Sequence, residues 1–231
     1  MIGVRRLAWA ALLVAAPAAA TDRPAKVAIT PKSGDAVLIV RAPTLPVPYQ
    51  IGISRFDPVE SQLTSNPLGG WADMTVSADK STDGYIVRTV KPGTYVLRDV
   101  SQQLAWGLCF HADTLQFDVR PGEVVYLGSF DGETPIRELQ REAIAHMDLV
   151  ARSGTVHHYF DDVTPPTFTA ATAEDMDRVR AFVANSMPKT SVAPSAVAFR
   201  PARFGTGSDL FGTQKVCGGY YKKKVGAAPA G

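Results

Sequence analysis

Two cysteines, Cys109 and Cys217, and four histidines are all that the 231 residues offer for thiol or imidazole chemistry. Cys109 lies between Leu108 and Phe110, with His111 two residues on. Residues two apart on a strand share a face, the arrangement of a thiol activated by an imidazole. The alternatives for Cys109 are a disulfide with Cys217 or a buried free thiol. His157-His158 and Asp161-Asp162 are metal-ligand types, but adjacent side chains on an extended segment point in opposite directions. Without a third spaced ligand they read as a solvated connection, and His146 adds no ligand spacing. Gly205-Thr206-Gly207-Ser208-Asp209 has no strand before it, no helix after it and no phosphate-loop Lys-Ser/Thr ending, so it reads as a loop. Acid pairs of the glycosidase kind are defined by separation in space and are invisible in sequence. Trp71 and Trp106 would suit sugar stacking or, more plainly, core packing. The sequence therefore assigns no catalytic residue, no metal site and no cofactor.

The elements that must position these residues begin with the N-terminus. Arg5 and Arg6 precede an apolar run from Leu7 to Ala20, and Ala18 and Ala20 form a small-x-small pattern before Thr21-Asp22. The run is too short to span a bilayer and has the layout of a secretory signal peptide cleaved before Thr21. Residues 1–20 are accordingly expected to be removed, leaving a periplasmic or secreted chain without a transmembrane segment. In an exported chain with two cysteines, a Cys109–Cys217 disulfide is the expected fate of both thiols.

Composition narrows the class. Apolar residues are 45% and charged residues 20%, which excludes a disordered polyelectrolyte, a collagen and a coiled coil. Gly and Pro, 19 and 17 of them, favour short strands and turns. Strands are expected at Val27–Ile29, Ala36–Val40, Tyr49–Ser54, Trp71–Ser77, Tyr85–Val90, Thr94–Val100, Ala105–His111, Thr114–Val119 and Glu123–Phe130. Leu115, Phe117 and Val119 alternate with polar residues, as do Trp106, Leu108 and Phe110 with their neighbours. Two Pro-Gly turns, at Pro92-Gly93 and Pro121-Gly122, make antiparallel hairpins the natural expectation. The whole reads as a mainly β, antiparallel two-sheet sandwich over residues 21–132, with a small β-barrel as the alternative. Residues 133–188 read as a helical extension packing on it. One helix has Thr134 as N-cap and Ile136, Leu139, Ala143, Met147 and Val150 as its stripe. A second has Thr172 as N-cap and Met176, Val179, Val183 and Met187 as its stripe, and Pro188 stops it. Residues 189–231 lose periodicity and read as a basic, Gly/Pro/Ala-rich, largely disordered tail.

The segments Lys91-Pro-Gly-Thr-Tyr-Val-Leu97 and Phe117-Asp-Val-Arg-Pro-Gly-Glu-Val-Val-Tyr-Leu-Gly128 carry a family pattern, PGxYxL followed by FxVxPGExxYxG. This resembles exported proteobacterial proteins with a small prealbumin-like or carboxypeptidase-regulatory-like β-sandwich. The resemblance implies a periplasmic or cell-surface domain and carries over no catalytic residue.

Charge is distributed unevenly. From Thr21 to Met187 there are 15 basic and 21 acidic residues, and from Pro188 onward 7 basic residues and one acid, Asp209. Lys222, Lys223 and Lys224 are candidates for contact with an anionic surface, whereas no nucleic-acid reading module is present. The expected role is a non-enzymatic, binding or structural protein of the cell envelope, its partner an envelope protein, glycan or anionic surface. An envelope hydrolase on carbohydrate or peptide and a carbohydrate-binding module are the competing readings. Mass spectrometry of the native protein should find Thr21 as its first residue; recovery of an intact Met1 would remove the leader reading.

Overall fold

A run of five consecutive apolar residues, Ala36-Val37-Leu38-Ile39-Val40, has no polar side to turn to water, so the strand it forms must be covered on both faces. The computed structural model describes residues 21–64, 71–102, 106–146, 158–160, 163–205, 214–215, 217 and 222–223. In it this run is strand β1 (Ala36–Arg41), and all five residues are fully buried.

Among the described residues the protein is mainly β, with two large sheets, one of them curled into a half-barrel, a two-stranded ladder and two α-helices. The remaining strands are β2 (Tyr49–Asp57), β3 (Gln62–Leu63), β4 (Trp71–Val76), β5 (Tyr85–Val90), β6 (Gly93–Gln102), β7 (Trp106–Cys109), β8 (Thr114–Val119) and β9 (Val124–Phe130), then β10 (His158–Phe160) and β11 (Phe168–Thr169). Short strands β12 (Ser195–Ala196), β13 (Arg200–Ala202), β14 (Gln214–Lys215) and β15 (Lys222–Lys223) complete the series. The helices are α1 (Glu133–Ala145) and α2 (Ala173–Ser186).

Sheet one runs β11-β9-β1-β5, with β12 also on the outer edge of β9. Sheet two has β2 and β6 at its centre, β3 and β4 beyond β2, and β7 and β8 sharing the other edge of β6. Ala36, Leu38, Val40, Ile86, Val125 and Leu127 of sheet one meet Ile51, Ile53, Leu97, Leu108 and Phe117 of sheet two in the main core. The opposite face of sheet one, Val37, Ile39, Tyr85, Val87, Val124 and Tyr126, packs under Met176, Val179, Phe182, Val183 and Met187 of α2 and under Val27 and Ile29. Helix α1 packs on β6 and β7 and buries Ile136 and Leu139 in the main core. The result is three layers, α2 over sheet one over sheet two.

Several expectations are corrected by this topology. The two Pro-Gly turns are not hairpins: Pro92-Gly93 carries the chain from β5 of sheet one to β6 of sheet two, and Pro121-Gly122 carries it back from β8 to β9. Both edges of β6 are already taken, by β2 on one side and by β7 and β8 on the other. Strand β1 pairs antiparallel with β5 but parallel with β9, and β7–β10 and β9–β12 are also parallel. Val27–Ile29 forms no ladder; the Ile29 carbonyl accepts from the Ser191 amide, and its own amide meets the Thr190 hydroxyl. Thr134 does not cap α1. The helix starts two residues earlier, at Glu133 after Gly132, and the Asp131 carboxylate accepts from the amides of Glu133 and Thr134. Met147 and Val150 of the expected stripe lie outside the described residues. The second helix begins where expected, with Thr172 and Asp175 forming a reciprocal capping box. Lys189 to Gly205 is built into the fold, because β12 extends sheet one, β13 extends sheet two and Phe204 is buried.

Phe182 stacks on Tyr85 with ring centroids 4.6 Å apart and is 5% exposed. Phe182→Ala should cost about 3–5 kcal/mol in denaturant titration, with amide protection lost first in α2. The Thr172 hydroxyl, donating to Asp175, holds that carboxyl below its usual range. The resulting stabilisation is complete above the unfolded carboxylate pKa of about 4 and is lost as pH falls through the lower folded value. Acid titration of Asp175→Asn followed by α2 exchange should therefore show this loss abolished; an unchanged acid limb would count against the cap.

Candidate functional site

The sequence Tyr95-Val-Leu-Arg-Asp-Val100 places two opposite charges inside an apolar strand, which a regular β-strand would send to opposite faces. Strand β6 resolves this with a bulge. Gly52 of β2 pairs with Asp99 and Ile53 pairs with Leu97, leaving Arg98 as the extra residue. Arg98 and Asp99 thereby form an ion pair through the guanidinium Nε, with both side chains at most 5% exposed. Arg98 also donates to the Ser54 hydroxyl at 3.2 Å.

This pair lies on the outer face of sheet two, away from the main core. Gly52, Asp99 and Cys109 occupy one row across β2, β6 and β7, and Gln50, Ser101, Gly107 and Tyr159 the next row, reaching β10. The glycines are required by close approach. A Cβ on Gly52 would collide with the Asp99 carboxylate, and one on Gly107 with the Tyr159 ring.

The cover over this face comes from the C-terminal arm. After β12, Phe199 crosses between the sheets, its ring edge-on to Phe117 at 5.6 Å and near Phe168 at 5.1 Å. Strand β13 then pairs with β8, and Arg200 reaches Asp118 at 2.8 Å. The Phe204 amide donates to the His111 carbonyl, and the Gly205 amide to the Ser61 carbonyl at 2.7 Å. Finally Cys217 bonds to Cys109 across 108 residues of sequence, with Cα atoms 5.8 Å apart. Phe56, Val96, Cys109, Phe204 and Cys217 form a separate small core around the bond.

Cys217 sits between β14 and β15, which pair antiparallel with Lys215 opposite Lys222 and Gln214 opposite Lys223. The disulfide therefore anchors the turn of a lysine-bearing hairpin to sheet two.

The expected residues separate as follows. Cys109 and Cys217 are joined, so Cys109 is not a thiol for His111 to activate. Trp106 is half-buried, packs against the main core and lies parallel to Phe160 at 5.7 Å, so it serves packing first. Strand β4 places Trp71 opposite Ser54 in register. Thr21 is buried at the edge of the sandwich. Lys222 and Lys223 form β15. His158 lies in β10, paired with Trp106. Ala18, Ala20, His157, Asp161, Asp162, Thr206 to Asp209 and Lys224 lie outside the described residues. Among the described residues no group of three or more His, Cys, Asp or Glu side chains is placed to hold a metal. The Arg98–Asp99 pair was missed by sequence reading, although two adjacent charges in an apolar strand were its available signal.

A shallow cleft of about 370 Å³ opens beside α1, with Leu45, Pro46, Val47 and Ile136 as its apolar side and Gln102, Gln140, Glu133 and Arg137 as its polar side. Gln140 donates to Gln102 at 3.3 Å, and Arg137 pairs with Glu133 at 2.8 Å. Among the described residues, Gln102 Nε2 is buried beside this cleft without a hydrogen-bond partner.

Comparisons of the chain with protein-family models, curated proteins and solved structures find no match.

Removing one member of a buried ion pair strands its partner. Arg98→Met should cost about 3–5 kcal/mol, while Arg98→Met with Asp99→Leu should recover most of that loss. Equal losses in the single and double variants, by denaturant titration, would show that the pair is not what holds the bulge.

Proposed function

We propose that this protein is an exported, non-enzymatic β-sandwich of the cell envelope that docks on an anionic surface through its disulfide-anchored basic hairpin. The observation that carries the reading is the hairpin itself: Lys215 faces Lys222 in register, Lys223 adjoins them, and Cys217 between the strands is bonded to Cys109 of sheet two. Lys224 extends the cluster in sequence. An anionic headgroup layer supplies the counter-charge, each lysine near it contributing about 1 kcal/mol.

Export is supported by two independent features. The leader pattern ends at Ala20, and a disulfide joining two distant parts of a chain forms and persists in oxidising compartments. Among the described residues no helix is long and apolar enough to cross a membrane. An envelope position therefore rests on surface contact, and the acidic body from Thr21 to Met187 would orient the basic hairpin toward the negative surface.

The test is co-sedimentation of the oxidised mature protein with vesicles of phosphatidylglycerol and phosphatidylcholine, beside vesicles of phosphatidylcholine alone. Binding should appear only with the anionic lipid and fall as ionic strength rises past about 0.1 M, where the screening length shrinks to about 10 Å. The triple variant Lys222→Glu, Lys223→Glu, Lys224→Glu should lose it. Binding indifferent to salt or to the triple variant would refute the proposal.

A further inference from the structure

The connection from β1 to β2, Ala42-Pro-Thr-Leu-Pro-Val-Pro48, holds prolines at 43, 46 and 48. Each proline fixes its own φ and removes a backbone donor, so this segment forms a stiff wall instead of a ladder. The wall opposite is α1. Tyr49 ties the two together: its hydroxyl donates to the Pro43 carbonyl at 3.0 Å and lies against Gly132, where a Cβ would collide with it. Between the walls is the cleft of about 370 Å³, within the size range of small-ligand sites. Helix α1 lines it with Glu133, Ile136, Arg137 and Gln140, the i, i+3, i+4, i+7 spacing of one helix face. A cleft whose two walls are held in place costs little to order when a ligand enters.

Gln102, at the end of β6, supplies the chemistry. Its Oε1 accepts from Gln140 Nε2 at 3.3 Å, while its own Nε2 is buried with no hydrogen-bond partner among the described residues. A buried donor left unmade is costly. The bond that orients this amide is long and the terminal torsion of a glutamine is soft, so the amide can turn into the cleft when an acceptor arrives. Gln140 retains its Oε1 as an acceptor. The two carboxamides therefore offer one donor and one acceptor, the complement of a peptide unit. Turning both amides over exchanges the roles and leaves the same complement. A hydrocarbon chain would satisfy neither group, and a charged ligand finds Glu133 and Arg137 already paired at 2.8 Å. We propose that this cleft binds a short, neutral peptide segment. One apolar side chain lies against Leu45, Val47 and Ile136, and the adjacent peptide group bonds to Gln102 and Gln140. The site shares no residue with the basic hairpin and does not rest on the envelope reading.

The experiment titrates the isotope-labelled, oxidised mature protein with N-acetyl-leucine N-methylamide and follows it by NMR. The side-chain NH2 resonances of Gln102 and Gln140 should shift saturably, with a Kd on the order of 1 mM for so small a ligand. N-acetyl-glycine N-methylamide lacks the apolar branch, and isoamyl alcohol lacks the peptide group. Each should bind about tenfold more weakly or worse. Gln102→Leu should weaken binding of the leucine compound about tenfold while leaving the urea midpoint nearly unchanged, because it also removes the unpaired donor. Gln140→Ala, at an exposed position, should weaken binding to a similar degree without touching the core. No saturable shift up to tens of millimolar would overturn the proposal. So would equal binding of the three compounds, which describes an unspecific crevice, or unchanged affinity in either variant that folds.

Discussion

Burial of β1 on both faces is the constraint from which the rest follows. A strand with no polar side cannot belong to a two-layer sandwich exposed on one face. It demands sheet two beneath and a further layer above, and α2 with the Val27–Ile29 arm supplies that layer. The same demand explains why the helices come late in the chain. Helix α2 is needed to complete a sheet whose strands β1, β5 and β9 are already in place, and its Phe182 and Val183 cover surface that those strands leave apolar.

Stacking two sheets leaves two lateral seams, and two segments outside the main strands close them. At one seam Thr21 and Asp22 join β4 to β5. At the other, the segment from Ser195 to Phe204 leaves β9 of sheet one, crosses at Phe199 and joins β8 of sheet two. The first closure is made mostly by the Thr21 hydroxyl and the Asp22 carboxylate and the second by backbone ladders, and both satisfy strand-edge groups that would otherwise template pairing with another chain. The outer face of sheet two is treated differently. There the buried Arg98–Asp99 pair has a small apolar cluster beside it, and the cover is held by a covalent bond.

How legible this was depended on the range of the signal. The strands Tyr85–Val90 and Thr114–Val119 agree with their expected limits to the residue, because turn residues bound them and alternation fills them. The N-cap at Thr172 was equally local. Sheet membership was not, since a Pro-Gly turn looks the same whether it joins neighbours in one sheet or passes between two. The segment after Lys189 has no periodic signal because its anchors, Phe199 and Phe204, are isolated aromatics in a Gly-, Ala- and Pro-rich background. Their partners Phe117, Phe168 and the His111 carbonyl lie tens of residues away. The disulfide follows from the cysteine count and the expected compartment alone. The lysine register across β14 and β15 does not, because it depends on a six-residue connection without alternation.

The position of the two cysteines has a further consequence, for the time at which the bond is made. Cys109 lies in β7, near the middle of the chain, and its only possible partner follows 108 residues later. During synthesis the first thiol is present alone while the remaining strands of both sheets are made. No second cysteine exists nearby to capture it wrongly, so the chain has a single intramolecular pairing and nothing to reshuffle. What it requires is an oxidant that arrives late, or one that holds Cys109 as a mixed disulfide until Cys217 appears.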